Sequence, residues 1–141
     1  MASRPTSRMR SRHHFPISLA VGLAAVATVP TPLPALAVVV GAGLLGTFVD
    51  LDHFLIARVR TGSWDPLRRC LADPRMALLE QDDIFEAGDV GSLARLVTHG
   101  LLTVGVVAGL WAVDPALALV AGVVLAVHIG CDVAWELART T

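Results

Sequence analysis

Four stretches of this 141-residue chain contain no charged side chain, and together they limit the folds open to it. Crossing a bilayer core takes roughly 20 helical residues, so each stretch needs a turn or more from its polar flanks to span a membrane. A soluble bundle of buried helices is the alternative, but helices without a polar face have nothing to present to water. Hydrophobic residues make up 55% of the chain, which also favours a membrane protein. The charge-free stretches are 15–29, 33–49, 100–113 and 115–129.

The predicted fold is an all-α membrane protein with four transmembrane helices in two hairpins. Prolines in "TVPTPLP" and "VDP" mark the turns of the hairpins, because proline has no amide donor and restricts the residue before it. Between the hairpins, Asp65-Pro66 and Asp73-Pro74 predict the starts of two short helices, in a segment that is either a solvated connector or a cover over the bundle mouth. The predicted units are a basic tail (1–12), hairpin one (13–53), the intervening segment (54–93), hairpin two (94–136) and a tail (137–141).

The distribution of arginine predicts the topology. All 11 basic residues flank the spans or lie between the hairpins, and neither hairpin turn contains one. The positive-inside rule therefore places both termini and residues 54–93 in the cytoplasm, in a multi-pass protein of the inner cell membrane. An export signal cleaved after "PALA" would also explain the basic start, but it would truncate the second span. Membrane lipid is the expected partner, no nucleic acid is expected, and the oligomeric state is left open.

Cysteines and small residues add two expectations. Cys70 and Cys131 form no CxxC pair and face a reducing compartment, so no disulfide is expected. Cys131 is either an apolar filler of span four or a thiol beside a metal. Small residues spaced by four predict close helix packing, at Ala42 and Gly46, Gly105 and Gly109, and Gly122 and Ala126.

Histidines and aspartates are concentrated at the cytoplasmic ends of the predicted spans, whereas Asp114 is alone at the other end. Residues three or four apart share a helix face, so several helices can each turn a polar pair inward. Imidazole and carboxylate on facing helices form the ligand sets of zinc, iron or manganese sites. The residues at this level are His13, His14, Asp50, Asp52, His53, His99, His128 and Asp132, with the spaced pairs Asp50/His53, Arg95/His99 and His128/Asp132.

The motifs "VDLDH" (49–53), "RLVTH" (95–99) and "HIGCD" (128–132) resemble those of the YdjM-like (DUF457) family of membrane-bound metal-dependent hydrolases. The resemblance implies four spans, with residues 54–93 as an insertion. Val49, Ala94 and Gly100 depart from the family pattern of proline, histidine and serine. The loss of the histidine at position 94 implies one metal fewer, a different ligand or a relative without activity. The implied site is Asp50, Asp52, His53, His99, His128 and Asp132, with His13 or His14 as its N-terminal member.

The predicted function is hydrolysis of a membrane-near ester or phosphoester, with zinc as the first metal to test. The metal would lower the pKa of bound water towards 7. Asp52 or His53 is expected to be a ligand or the general base, and Arg95, at the rim, to hold an anionic group. The alternative is a non-enzymatic scaffold, or a metal-binding or ion-translocating bundle. Asp50, His99, His128 and Asp132 are the predicted core ligands, joined by His53 and by His13 or His14.

Overall fold

A computed structural model describes residues 11–78, 84–86 and 89–140, and all regular structure in these ranges is helical. Three helical segments are long and apolar enough to cross a membrane: Ala35–Thr61, Ser92–Trp111 and Pro115–Ala138. A shorter apolar helix, His13–Thr28, precedes them. The elements are α1 (Ser11–Thr28), α2 (Ala35–Phe48), a 3₁₀ turn (Val49–Leu51), α3 (Asp52–Thr61), α4 (Asp65–Ala72), α5 (Pro74–Leu78), α6 (Ser92–Trp111) and α7 (Pro115–Thr140).

The two proline-containing links end helices as the sequence predicts. α2 begins directly after Pro34, whose carbonyl accepts a hydrogen bond from the amide of Ala37 at 2.9 Å. Asp114 begins α7, since its Oδ1 accepts from the amide of Leu117 at 2.9 Å. A carboxylate at this position satisfies an amide that the first helical turn leaves without a partner. Asp114 therefore has a local structural role.

The second apolar helix continues past His53, where the sequence placed the end of hairpin one. The 3₁₀ turn leads directly into α3, and the helix ends at Gly62, which adopts a left-handed conformation (φ 75°) that favours glycine. Leu51, Leu55 and Val59 are exposed and spaced by four, so the outer apolar face continues along α3. Apolar side chains on the outer face of this helix therefore continue beyond the polar residue Asp50.

Close packing of α1 on α2 depends on small residues. A Cβ at Gly22 would lie 2.7 Å from that of Ala42, and one at Gly46 would collide with the side chain of Ser18. The prediction of close packing at Ala42 and Gly46 is thus confirmed. It is wrong for α6, because a Cβ at Gly105 or Gly109 would meet nothing within 4 Å.

α7 is the central helix of the bundle. It packs against α1, α2 and α6, and Ala118, Val124 and Leu125 on its inner face are almost completely buried. α6 packs on α7 and also contacts the 3₁₀ turn and α3. One end of the bundle therefore brings together side chains from α1, the 3₁₀ turn, α3, α6 and α7.

The segment between α3 and α6 contains the two short helices predicted from Asp-Pro pairs, α4 and α5. Asp73 caps α5, accepting from the amide of Arg75 at 3.0 Å, whereas α4 has no side-chain cap. The segment returns to the bundle, where Phe85 packs on Phe54, and the buried Val90 packs beside α3. It therefore covers part of the bundle end that holds the polar cluster.

Candidate metal centre

Buried ionisable side chains gather at one end of the bundle, supplied by four helices and the 3₁₀ turn. Each is less than one-tenth exposed, although isolated charges are costly to remove from water. Mutual pairing and binding of a cation are the two ways to offset this cost. The buried members are His14, Asp50, Asp52, Arg95, His99, His128 and Asp132.

Two aspartates and two histidines form the centre of the cluster, here called the tetrad: Asp50, His99, His128 and Asp132. Oδ1 of Asp50 lies 3.2 Å from Nε2 of His99 and 3.3 Å from Nε2 of His128. Oδ2 of Asp132 lies 3.6 Å from Nε2 of His128 and 3.9 Å from Nε2 of His99. Ligands about 2 Å from a tetrahedral ion would stand roughly 3.3 Å apart. The tetrad thus has the dimensions of a metal site.

In His99 and His128, the contacts of Nδ1 orient the ring so that Nε2 points into the tetrad. Nδ1–H of His128 donates to the carbonyl of Gly46 at 2.8 Å. A carbonyl only accepts, so in the neutral ring Nε2 carries the lone pair. Both ring nitrogens of His99 lie within hydrogen-bond distance of a carboxylate, Nδ1 at 2.9 Å from Oδ2 of Asp52 and Nε2 at 3.2 Å from Oδ1 of Asp50. Thr98 Oγ1 also donates to Oδ2 of Asp52. Support of this kind is typical of histidines that bind metals.

Several buried atoms directed into the cluster have no hydrogen-bond partner. They include Nε2 of His128, Oδ2 of Asp132, Nε2 of His53 and Oδ1 of Asp52. A buried polar atom left without a hydrogen bond costs about 1–3 kcal/mol. Imidazole nitrogens and carboxylate oxygens converging with unused lone pairs fit a divalent transition metal, which would satisfy them together. The residues present therefore fit a metal ion.

A second group, which shares His99 with the tetrad, consists of Asp52, His53 and His99, again with potential ligand atoms within 4.8 Å of one another. Nε2 of His53 lies 3.8 Å from Oδ1 of Asp50 and 3.8 Å from Oδ1 of Asp52. Its ring stands edge-on to Phe85, and its side chain is 12% exposed. His53 is thus at the edge of the cluster nearest the covering segment.

Of the two N-terminal histidines, the structure brings His14 into the cluster. Its ring stacks on that of His128 with centroids 3.8 Å apart, and its Nε2 lies 3.3 Å from Oδ1 of Asp132. His13 is partly exposed and is absent from the polar contacts of the cluster. Adjacent helical residues point about 100° apart, so only one of them can face the bundle.

The expectation that Arg95 lies at the rim is wrong. Its side chain is buried, and its Nε lies 3.7 Å from Oδ2 of Asp132. α6 begins at Ser92, so Arg95 is already within the helix, one turn from His99 on the same face. Beside this end of α6, the buried Val90 forms an apolar cluster with Ile56 and Ala57 of α3, against which Ala94 packs.

Three contacts were not predicted from the sequence. Thr98 precedes His99 in a recognised motif, but a hydroxyl beside a histidine has many other uses. The carbonyl of Gly46 leaves no side-chain signal at all. Phe85 lies 32 residues beyond His53, in a segment whose course the sequence does not define. Thr98 and the Gly46 carbonyl support the cluster, and Phe85 lies in the segment for which a cover over the bundle mouth was one of the two predicted alternatives.

Comparisons of the chain with protein-family models, with curated proteins and with solved structures gave no match.

Proposed function

We propose that the chain is an integral membrane metal-dependent hydrolase whose His/Asp site lies at the cytoplasmic face and acts on a membrane-near ester or phosphoester. The tetrad carries the proposal. The Nε2 atoms of His99 and His128 face the carboxylates of Asp50 and Asp132, with distances of 3.2 to 3.9 Å between the atoms. The motif resemblance to the YdjM-like family points to the same chemistry.

The tetrad would hold the metal ion, with zinc as the first candidate for mixed nitrogen and oxygen ligands. When bound, such an ion supplies Lewis acidity and makes water more acidic. His14 would support the tetrad from the other oxygen of Asp132, at 3.3 Å. His53 is the residue best placed to accept a proton from water, because it lies outside the tetrad at the more exposed edge of the cluster and its Nε2 has no hydrogen-bond partner. Asp52, held by His99 and Thr98, would orient His99.

In the proposed membrane arrangement the shorter helix α1 also spans the membrane, which makes four spans in total. α1 pairs with α2, and α6 pairs with α7. Both termini and residues 54–93 would be cytoplasmic, as the positive-inside rule predicts. Labelling of single cysteines tests this topology in a background without Cys70 and Cys131. One cysteine replaces the exposed Asp65, and the other replaces Thr31 at the opposite end of the bundle. A membrane-impermeant maleimide added to intact cells should label position 31 and spare position 65. The reverse pattern would place the site on the outer face.

Metal analysis and turnover by the detergent-purified protein test the function. We expect bound divalent metal in the wild type, loss of that metal in His128→Ala, and retention in His13→Ala, the matched control on the outer side of α1. A metal-free wild type, or metal content unchanged in His128→Ala, would reject both the hydrolase and the metal-binding bundle. Metal retained without turnover of any carboxylic ester or phosphoester would instead favour the non-enzymatic bundle.

A further inference from the structure

Among the arginines whose side chains the structure describes, Arg95 alone is buried. Its hydrogen-bonding capacity is not fully used. Its nearest carboxylate oxygen, Oδ2 of Asp132, is 3.7 Å from Nε, which is too long for a hydrogen bond. Nε has no hydrogen-bond partner. In contrast, the exposed Arg69 donates from Nη2 to the carbonyl of Ile84 at 2.8 Å. A donor is thus left unused in the buried position, where an unused donor is more costly.

The position of this donor indicates what it binds. Arg95 lies one helical turn from His99 and beside Asp132, so a group held by its guanidinium would lie next to the tetrad. Guanidinium presents a planar fork of donors that matches the oxygens of phosphate, and its charge strengthens each hydrogen bond. A buried cationic donor beside a metal site is suited to an anionic oxygen of a substrate.

The charges of the cluster distinguish two substrate classes. Asp50, Asp52 and Asp132 contribute three negative charges, and with neutral histidines a divalent ion would leave a net charge of −1. Arg95 brings that sum to zero. A neutral carboxylic ester would bind without this compensation, whereas a phosphoester anion would be repelled by a site that remained negative.

From these observations we propose that the substrate is a phosphoester and that Arg95 binds its non-bridging oxygens. The inference rests on the proposed hydrolase function and narrows it. Hydrolysis forms a bond from the oxygen of water to phosphorus and breaks the bond from phosphorus to the alcohol oxygen. One proton of water passes to Nε2 of His53, the departing oxygen takes a proton from solvent, and Arg95 stabilises negative charge on the phosphoryl oxygens.

Binding of inorganic phosphate to the metal-loaded protein tests the contact directly. We expect Arg95→Gln to weaken phosphate binding about ten- to a hundredfold with metal content unchanged. Arg95→Lys keeps the positive charge but loses the planar fork of donors, so it should bind phosphate with intermediate affinity. It also tests the contact if the glutamine variant does not fold. Arg68→Gln, on an exposed arginine, is the control and should bind as the wild type does.

Turnover defines the class and source of the substrate. p-Nitrophenyl phosphate or bis(p-nitrophenyl) phosphate should be cleaved and p-nitrophenyl acetate should not. Cleavage of phosphatidic acid in nanodiscs but not of glycerol phosphate would assign a lipid headgroup, and the opposite result a soluble phosphoester. Both outcomes support a phosphoester substrate.

Phosphate binding unchanged in Arg95→Gln, loss of metal in that variant, or cleavage of the acetate alone would overturn the inference. The first would show that the donor does not bind the anion, and the second that Arg95 serves to hold Asp132. Arg95-dependent phosphate binding without turnover of any ester would leave the anion site in place and reject the hydrolase function, so the two failures are distinguishable.

Discussion

The two ends of the helix bundle use polar residues in different ways. At the end with the proline-containing links, polar side chains pair with nearby backbone: Asp114 accepts from the amide of Leu117, and Thr28 Oγ1 donates to the carbonyl of Ala24 at 3.1 Å. At the end with the tetrad, polar side chains from different helices face one another, and several of their buried atoms have no hydrogen bond.

This difference separates polar groups whose hydrogen bonds are satisfied locally from polar groups that are available to a ligand. A capping aspartate satisfies a group that every helix leaves without a partner, so its benefit is local and independent of any ligand. Unsatisfied carboxylate and imidazole atoms in a buried position reduce stability unless a ligand compensates. The same residue type therefore caps the start of α7 at Asp114 and faces other buried polar side chains at Asp132.

The largest expected effect comes from exchanging each of these two aspartates for alanine. Asp132→Ala should weaken metal binding by at least about a hundredfold, because it removes one of the four proposed ligands. Asp114→Ala should leave metal binding unchanged and lower the free energy of unfolding by about 1 kcal/mol, through loss of the helix cap. Metal titration and thermal unfolding in detergent measure the two effects. Equal metal affinities in the two variants would abolish the distinction between the bundle ends.

A smaller effect is expected from the residues that support His99. Asp52→Asn should lower metal affinity about 10- to 100-fold while the protein still binds the metal, since the substitution removes the charge that orients the imidazole. Thr98→Val should act in the same direction but more weakly. Asp65→Asn, at an exposed aspartate outside the cluster, should have no effect on metal affinity. Complete loss of metal in Asp52→Asn would instead make Asp52 a ligand.

The smallest effect concerns packing, and the matched residues are two glycines. Gly46→Ala forces a collision with Ser18 and should destabilise the protein by about 1–3 kcal/mol. Gly105→Ala meets no neighbour and should be neutral or stabilising by up to about 1 kcal/mol, since alanine favours helix. Unfolding in detergent measures both. Adding Ser18→Gly to Gly46→Ala should recover part of the loss, and no recovery would show that the strain arises elsewhere.

The sequence predicts the features that follow from local rules. Charge-free stretches and prolines identify the apolar helices and the links, and three- or four-residue spacing identifies the polar pairs at Asp50, His99 and His128. Features that depend on contacts between distant segments are missed. The burial of Arg95 depends on where α6 starts and on its position beside Asp132 of α7, and the tautomer of His128 depends on a backbone carbonyl 82 residues away. Periodicity along one helix contains no information about such contacts.

The number of residues in the 3₁₀ turn at Val49–Leu51 is critical for the geometry of the polar cluster. Each residue advances an α-helix by about 100° and a 3₁₀ helix by about 120°, so this turn sets the rotation of α3 relative to α2. An inserted or deleted residue here would rotate Asp52 and His53 by roughly a quarter turn or more relative to Asp50. Evolution or design can therefore lengthen the links at the opposite end with little consequence, whereas the spacing from Asp50 to His53 does not tolerate a change in the number of residues.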